Sequence, residues 1–141
     1  MSAPLDPVRL QVWENEGGKL MTRQPVQVRR IYDEPTPADG TRVLVDRLWP
    51  RGVSKARAHL NEWCNQIAPS TDLRLWYHHD PKLFSAFARR YRAELTEPGR
   101  AAALVHLFQL AKLQKLTLLT ATRDVDLSEA AVLAEVINVH L

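Results

Sequence analysis

Cysteine is almost absent from this chain of 141 residues: Cys64 stands alone, so no intrachain disulfide can form and a disulfide-built scaffold is excluded. Long apolar runs are missing too. None approaches the roughly 18 residues that a membrane-spanning helix requires, so no membrane partner is expected. Glycine is scarce, with five residues in all, and it forms neither G-x-G-x-x-G nor G-x-x-x-x-G-K-[ST]. Neither C-x-x-C, H-E-x-x-H nor G-x-S-x-G occurs. The common dinucleotide, nucleoside-triphosphate, zinc and serine-hydrolase mechanisms therefore lack their signatures, and no cofactor and no metal are expected. The start, MSAPLDPVRL, does not have the charged-then-apolar layout of a signal peptide, which with the lone thiol points to a cytoplasmic location. Internal repeats and low-complexity tracts are likewise absent.

What is present suits a globular fold: 45% apolar and 25% charged residues, in a length that can bury a core without staples. The net charge of +3 is unevenly spread. Residues 23–57 hold eight bases against four acids, and residues 81–100 hold five against two. Fourteen of the 19 bases are Arg, whose planar guanidinium suits bidentate contact with phosphate or carboxylate. A small anionic ligand is the expected partner. The alternative is a nucleic-acid-binding module using the basic segments 23–57 and 81–100, with Tyr32, Trp49 or Trp76 for stacking.

The first 25 residues show no sustained periodicity and read as a loosely packed extension in which Trp13 stands apart; residues 26–141 read as a single domain. Strands are expected near 26–31, at 42–46 around Val43, Leu44 and Val45, and at 116–121. Residues 60–67 fit a strand or a helical stretch, with Trp63 and Ile67 pointing inward. A short helix carries Leu73 and Trp76. Asp80 and Pro81 open a longer one with Phe84, Phe87, Tyr91 and Leu95 on a single stripe, leaving Arg90 to pair with Glu94. Another helix runs from about 100 to 113, and the last begins near Asp126 with Glu129 in capping-box position. This order predicts an α/β fold: a small, mainly parallel sheet with helices on both faces, three layers in all.

Ligands of open parallel sheets bind beyond the carboxyl ends of the strands. That rule selects Asp46, Arg47, Arg51, Gly52 and Ser54 after the second strand, and Arg123 and Asp124 after the later one. Arg47, Arg51 and Arg123, with Gly52 and Ser54 at a helix start, would bind the anion. Asp46 or Asp124 would act as base and His79 as acid. The same Asp and Arg residues would also suit a salt-bridge network that merely fixes the loops. Cys64, beside Trp63, reads as a buried structural thiol. Oligomeric state is left open.

Five strings carry a resemblance: RVLVDRLWPRGVSK at 42–55, EWCNQIAPS at 62–70, LRLWYHHDP at 73–81, FARRYRAEL at 87–95 and LLTATRD at 118–124. Together they resemble the YeaO-like branch of the family of domain of unknown function 488. The resemblance implies a small α/β protein of the bacterial cytoplasm without an assigned activity. It marks Asp46, Arg47, Arg51, Gly52, Trp76, His79, Asp80, Arg123 and Asp124 as the matching polar positions. Some members of the wider family resemble thiol-bearing enzymes with a Cys-His-Arg run after the late strand, where this chain has Thr122, Arg123 and Asp124.

Overall fold

The computed structural model describes residues 25–140; the expected extension, Pro25 apart, lies outside the described residues. Four strands form one parallel sheet: β1 (Gln27–Arg30), β2 (Thr41–Leu44), β3 (Glu62–Trp63) and β4 (Leu116–Thr120), in the spatial order β1-β4-β2-β3. β4 is central, pairing Val28 with Leu118 on one side and Val43 with Leu118 on the other. Its five residues are all buried, as a strand covered on both faces must be.

Alternation along the strands divides the core in two. Val43, Val45, Leu116 and Leu118 face a large core filled from α2 (Thr71–Tyr77), α3 (Phe84–Glu94), α4 (Pro98–Leu113) and α5 (Glu129–Val139). Leu44, Leu119 and Ile31 face the other way, onto Ala58 of the one-turn helix α1 (Lys55–Ala58) and the partly buried Trp49, Val53 and Leu60. Both faces thus carry helix, but four helices cover one and a single turn with its loops covers the other.

The aromatic stripe of α3 organises the larger core. Tyr77 stacks on Phe87 at 4.2 Å between ring centroids, Phe87 on Tyr91 at 5.8 Å, and the buried Tyr91 hydroxyl donates to the Ile67 carbonyl. Three local expectations need correction. Asp80 and Pro81 open a 3-10 turn (Pro81–Leu83), and α3 starts only at Phe84. Residues 60–67 split between β3 and a 3-10 turn, so Ile67 is buried while Trp63 is 38% exposed, its indole donating to the Asp46 carbonyl. The last helix is capped by Ser128, whose hydroxyl accepts from the Ala131 N–H, and Asp126 lies in a preceding 3-10 turn.

Candidate functional site

Asp46 is the second residue after β2, and its carboxylate ties that end to β4. One oxygen accepts from the Thr120 hydroxyl at 2.8 Å and the other from the Ala121 N–H at 2.7 Å. Beyond this clamp the loop after β2, the end of α2 and the start of α5 diverge, leaving a cleft of about 470 Å³ at the carboxyl ends of the strands. Its size falls within the range of small-molecule sites. Arg47 and Arg51 line its outer part, Arg74, Tyr77 and His79 come from the α2 side, and Glu129 comes from the first turn of α5.

The backbone at the α2 end is unusual. His78 and His79 both have left-handed φ, 47° and 55°, which turns the chain sharply out of the helix and brings both imidazoles to the cleft. Tyr77 is held from two directions, by the Phe87 stack and by donation of its hydroxyl to the Leu127 carbonyl at 2.7 Å. Burial raises its pKa, helped by the charges of Asp124, Asp80 and Glu129, so the phenol stays neutral.

Glu129 makes a hydrogen bond with Asp46. Burial, that bond and the Asp46 charge push its carboxyl well above the ordinary range, while its own backbone amide and Arg74 pull the other way. Arg74 is half-buried, and its Nε is buried without a hydrogen-bond partner among the described residues.

Of the residues selected from sequence, the fold gathers Asp46, Arg47, Arg51 and His79 around this cleft. Gly52, at φ 77°, lies with Arg57 and His59 on a separate small pocket. The Ser54 hydroxyl caps α1 by accepting from the Arg57 N–H. Arg123 is exposed beyond the cleft lining, and Asp124 caps its own 3-10 turn by accepting from the Asp126 N–H at 3.2 Å. The strand-end salt-bridge network does not form: among the described residues Asp46 and Asp124 make no ion pair with Arg47, Arg51 or Arg123. Buried ion pairing occurs instead before β2, where Asp39 binds Arg29 and Arg42.

Sequence reasoning missed Arg74 and Glu129. The spacing from Asp126 made Glu129 look like a cap partner, and nothing local distinguishes Arg74 from a solvent-facing helix arginine. Cys64 is buried, its thiol pushed up to about 11 by burial and by the Glu62 charge. Among the described residues no three His, Cys, Asp or Glu side chains gather as a metal site, and no helix is long and apolar enough to cross a membrane.

A family model described as "Inactive DUF488-N3 subclade" matches residues 25–141. An uncharacterised protein of Mycobacterium tuberculosis is 48% identical over 113 residues, covering 80% of this chain and 93% of its own. The uncharacterised protein YeaO of Escherichia coli is 40% identical over 110 residues, covering 78% of this chain and 94% of its own. No solved structure matches. With that match running through every element described above, the chain belongs to the DUF488 family, in its YeaO-like branch.

Proposed function

We propose that the strand-end cleft binds a small phosphate- or carboxylate-bearing metabolite or nucleotide. The observation that carries this reading is the state of the arginines. Arg29, Arg42, Arg92 and Arg100 each hold a carboxylate, whereas Arg47, Arg51 and Arg74 converge on one cleft with no ion-pair partner among the described residues. Convergent guanidinium groups in a concave site favour an anion. The description of the matched subclade as inactive supports binding rather than turnover. Asp46 and His79, suggested by the sequence as base and acid, then shape the site. The buried, protonated Cys64 agrees with a cytoplasmic protein.

The nucleic-acid reading draws less support. In its two basic segments Arg29 and Arg42 are tied to Asp39, Arg92 pairs with Glu135, and Arg90 lies 4.1 Å over the Trp76 ring instead of pairing with Glu94.

Thermal shift with phosphate, citrate and adenosine monophosphate tests the anion reading. At a hundredfold excess over Kd a ligand adds about 2.7 kcal/mol of stability, a readily measured rise in Tm. Arg51→Ala and Arg74→Ala should each reduce that rise. A Tm unmoved by every anion, or a rise untouched by both variants, would overturn the assignment.

A further inference from the structure

We propose that the ligand of this cleft is an aromatic anion, whose ring lies on the exposed side chain of Tyr32 while its phosphate or carboxylate meets Arg51. The inference rests on the anion reading above and narrows its ligand class. Tyr32 lines the cleft and is 45% exposed, yet its contacts hold it from several directions. The turn that carries it after β1 is closed by the Asp33 N–H on the Arg30 carbonyl and by the Arg30 N–H on the Asp33 carboxylate, each at 3.0 Å. Its hydroxyl donates to the Arg51 carbonyl at 3.0 Å, which ties that turn to the loop after β2. The Arg30 guanidinium lies over the ring, 4.8 Å from its centroid. A half-exposed ring fixed in this way has little freedom left to lose when a second ring covers it.

Of the three aromatic residues that the sequence offered for stacking, only Tyr32 is free to do so here. Trp49 is half-buried, donates its indole N–H to the Val53 carbonyl and meets Trp63 edge-on at 5.4 Å. Trp76 lies outside the cleft lining and carries Arg90 on its ring. The hydroxyl tether sets Tyr32 beside Arg51, so the ring platform and a cation without an ion-pair partner among the described residues are neighbours. The wall around them is apolar: Leu48, Pro50, Pro69 and Leu75 line the same cleft, with Leu48 and Leu75 67% and 68% exposed. Apolar walls with a few convergent charges are the pattern of a site for an organic ligand. An inorganic anion would leave that wall and most of the 470 Å³ unused. A planar ring instead stacks on Tyr32, whose face already carries a cation, and buries the two leucines. An aliphatic body of the same size would bury the leucines without the stack.

Methyl, cyclohexyl and phenyl phosphate share one anion and differ in what it carries. Titration calorimetry of the three on the full chain provides the test, at about pH 8 where all are dianions. Phenyl phosphate should bind about tenfold tighter than methyl phosphate and measurably tighter than cyclohexyl phosphate, as ring stacking predicts. Its ring protons should move upfield in the NMR spectrum on binding. Tyr32→Leu should bring phenyl phosphate to the level of the cyclohexyl ester and diminish the upfield shift, whereas Tyr32→Phe, which keeps the ring, should retain the preference. Adenosine monophosphate separates two sources of such a ligand: binding tighter than phenyl phosphate marks a nucleotide and weaker binding an aryl acid, and both orders support the inference. Equal affinity of the three esters overturns it and leaves the anion reading standing. Equal affinity of the phenyl and cyclohexyl esters, or a phenyl preference that survives Tyr32→Leu, does the same. Binding of none of the four overturns both readings. Should Tyr32→Leu fail to fold, the ester series and the ring-proton shifts on the unaltered protein still decide.

Discussion

Asp39 shows how much one side chain can hold. It is 1% exposed, and it accepts from the guanidinium of Arg29 at 2.9 Å, from that of Arg42, and from both the N–H and hydroxyl of Thr36, while the Thr117 hydroxyl donates to its carbonyl. Burial by itself would raise its pKa. The Thr36 amide, the two guanidinium groups and the Thr36 hydroxyl together outweigh it and bring the carboxyl from 3.8 down to about 2. A depressed carboxylate stabilises the fold above its unfolded value and loses that contribution as pH falls through the folded one. Asp39 should therefore help to set the acid limb between about pH 4 and pH 2. Asp39→Asn leaves Arg42, itself 5% exposed, buried without its counter-charge and should cost about 3 kcal/mol at neutral pH. Urea melts from pH 2 to 7 measure both effects: the variant should lie below the parent at pH 7 and approach it toward pH 2. A constant gap across that range would show that Asp39 acts through shape alone.

At the scale of elements, the entry to β2 is the tight place. Gly40 has φ 65° and ψ −132°, and a Cβ there would lie 2.3 Å from the Lys115 carbonyl oxygen, which accepts from the Thr41 N–H as β2 begins beside β4. Backbone strain and backbone collision coincide, so Gly40→Ala should lose about 3 kcal/mol. Gly52 has φ 77° but no atom within 4 Å of such a Cβ, and Gly52→Ala should lose only the left-handed penalty of about 1 kcal/mol. Denaturant midpoints of the two variants check the contrast, which equal losses would contradict. The helix ends follow the same logic of local satisfaction. Ser70 and Ser128 cap α2 and α5, and Glu94 accepts from both the Ser70 N–H and its hydroxyl, linking α3 to the start of α2.

The whole molecule is lopsided, and its stability should be too. β2 and β4 stand between a core fed by four helices and a thin layer made of Ile31, Leu44, Ala58 and Leu119 with a few loop side chains. Residues 47–60, which form that layer and one wall of the cleft, have one helical turn and many exposed side chains, among them Leu48 at 67%. Few buried contacts mean that local opening costs little. Native-state hydrogen exchange should show the strongest protection at Val43, Leu44, Leu118 and Leu119 and opening of residues 47–60 at much lower free energy. Anion binding in the cleft should raise protection of that segment first. Uniform protection across both layers would contradict this division.

Much of the fold was legible in the residues because local signals there agree with tertiary demand. The apolar run at 43–45 and the largely apolar 116–119 suit strands covered on both faces, and the stripe of Phe84, Phe87, Tyr91 and Leu95 suits a buried helix side; strand period and helix period are local properties. The strand-end rule reached Asp46, Arg47 and Arg51 for the same reason, since it needs only the strands' direction and ends. The partners of those residues were not legible. Whether Ser128 or Asp126 caps the last helix is a competition between two adequate hydrogen-bond acceptors, and its outcome turned Glu129 from a capping side chain into a member of the cleft. Arg90 was four residues from a carboxylate yet lies on Trp76, because Glu94 is engaged by Ser70. The sequence by itself determined where apolar faces lie and which chain segments carry charge. Only the tertiary structure decided which charges meet, because contacts between residues as far apart as Asp46 and Glu129 depend on strand order and helix placement, which no local spacing encodes.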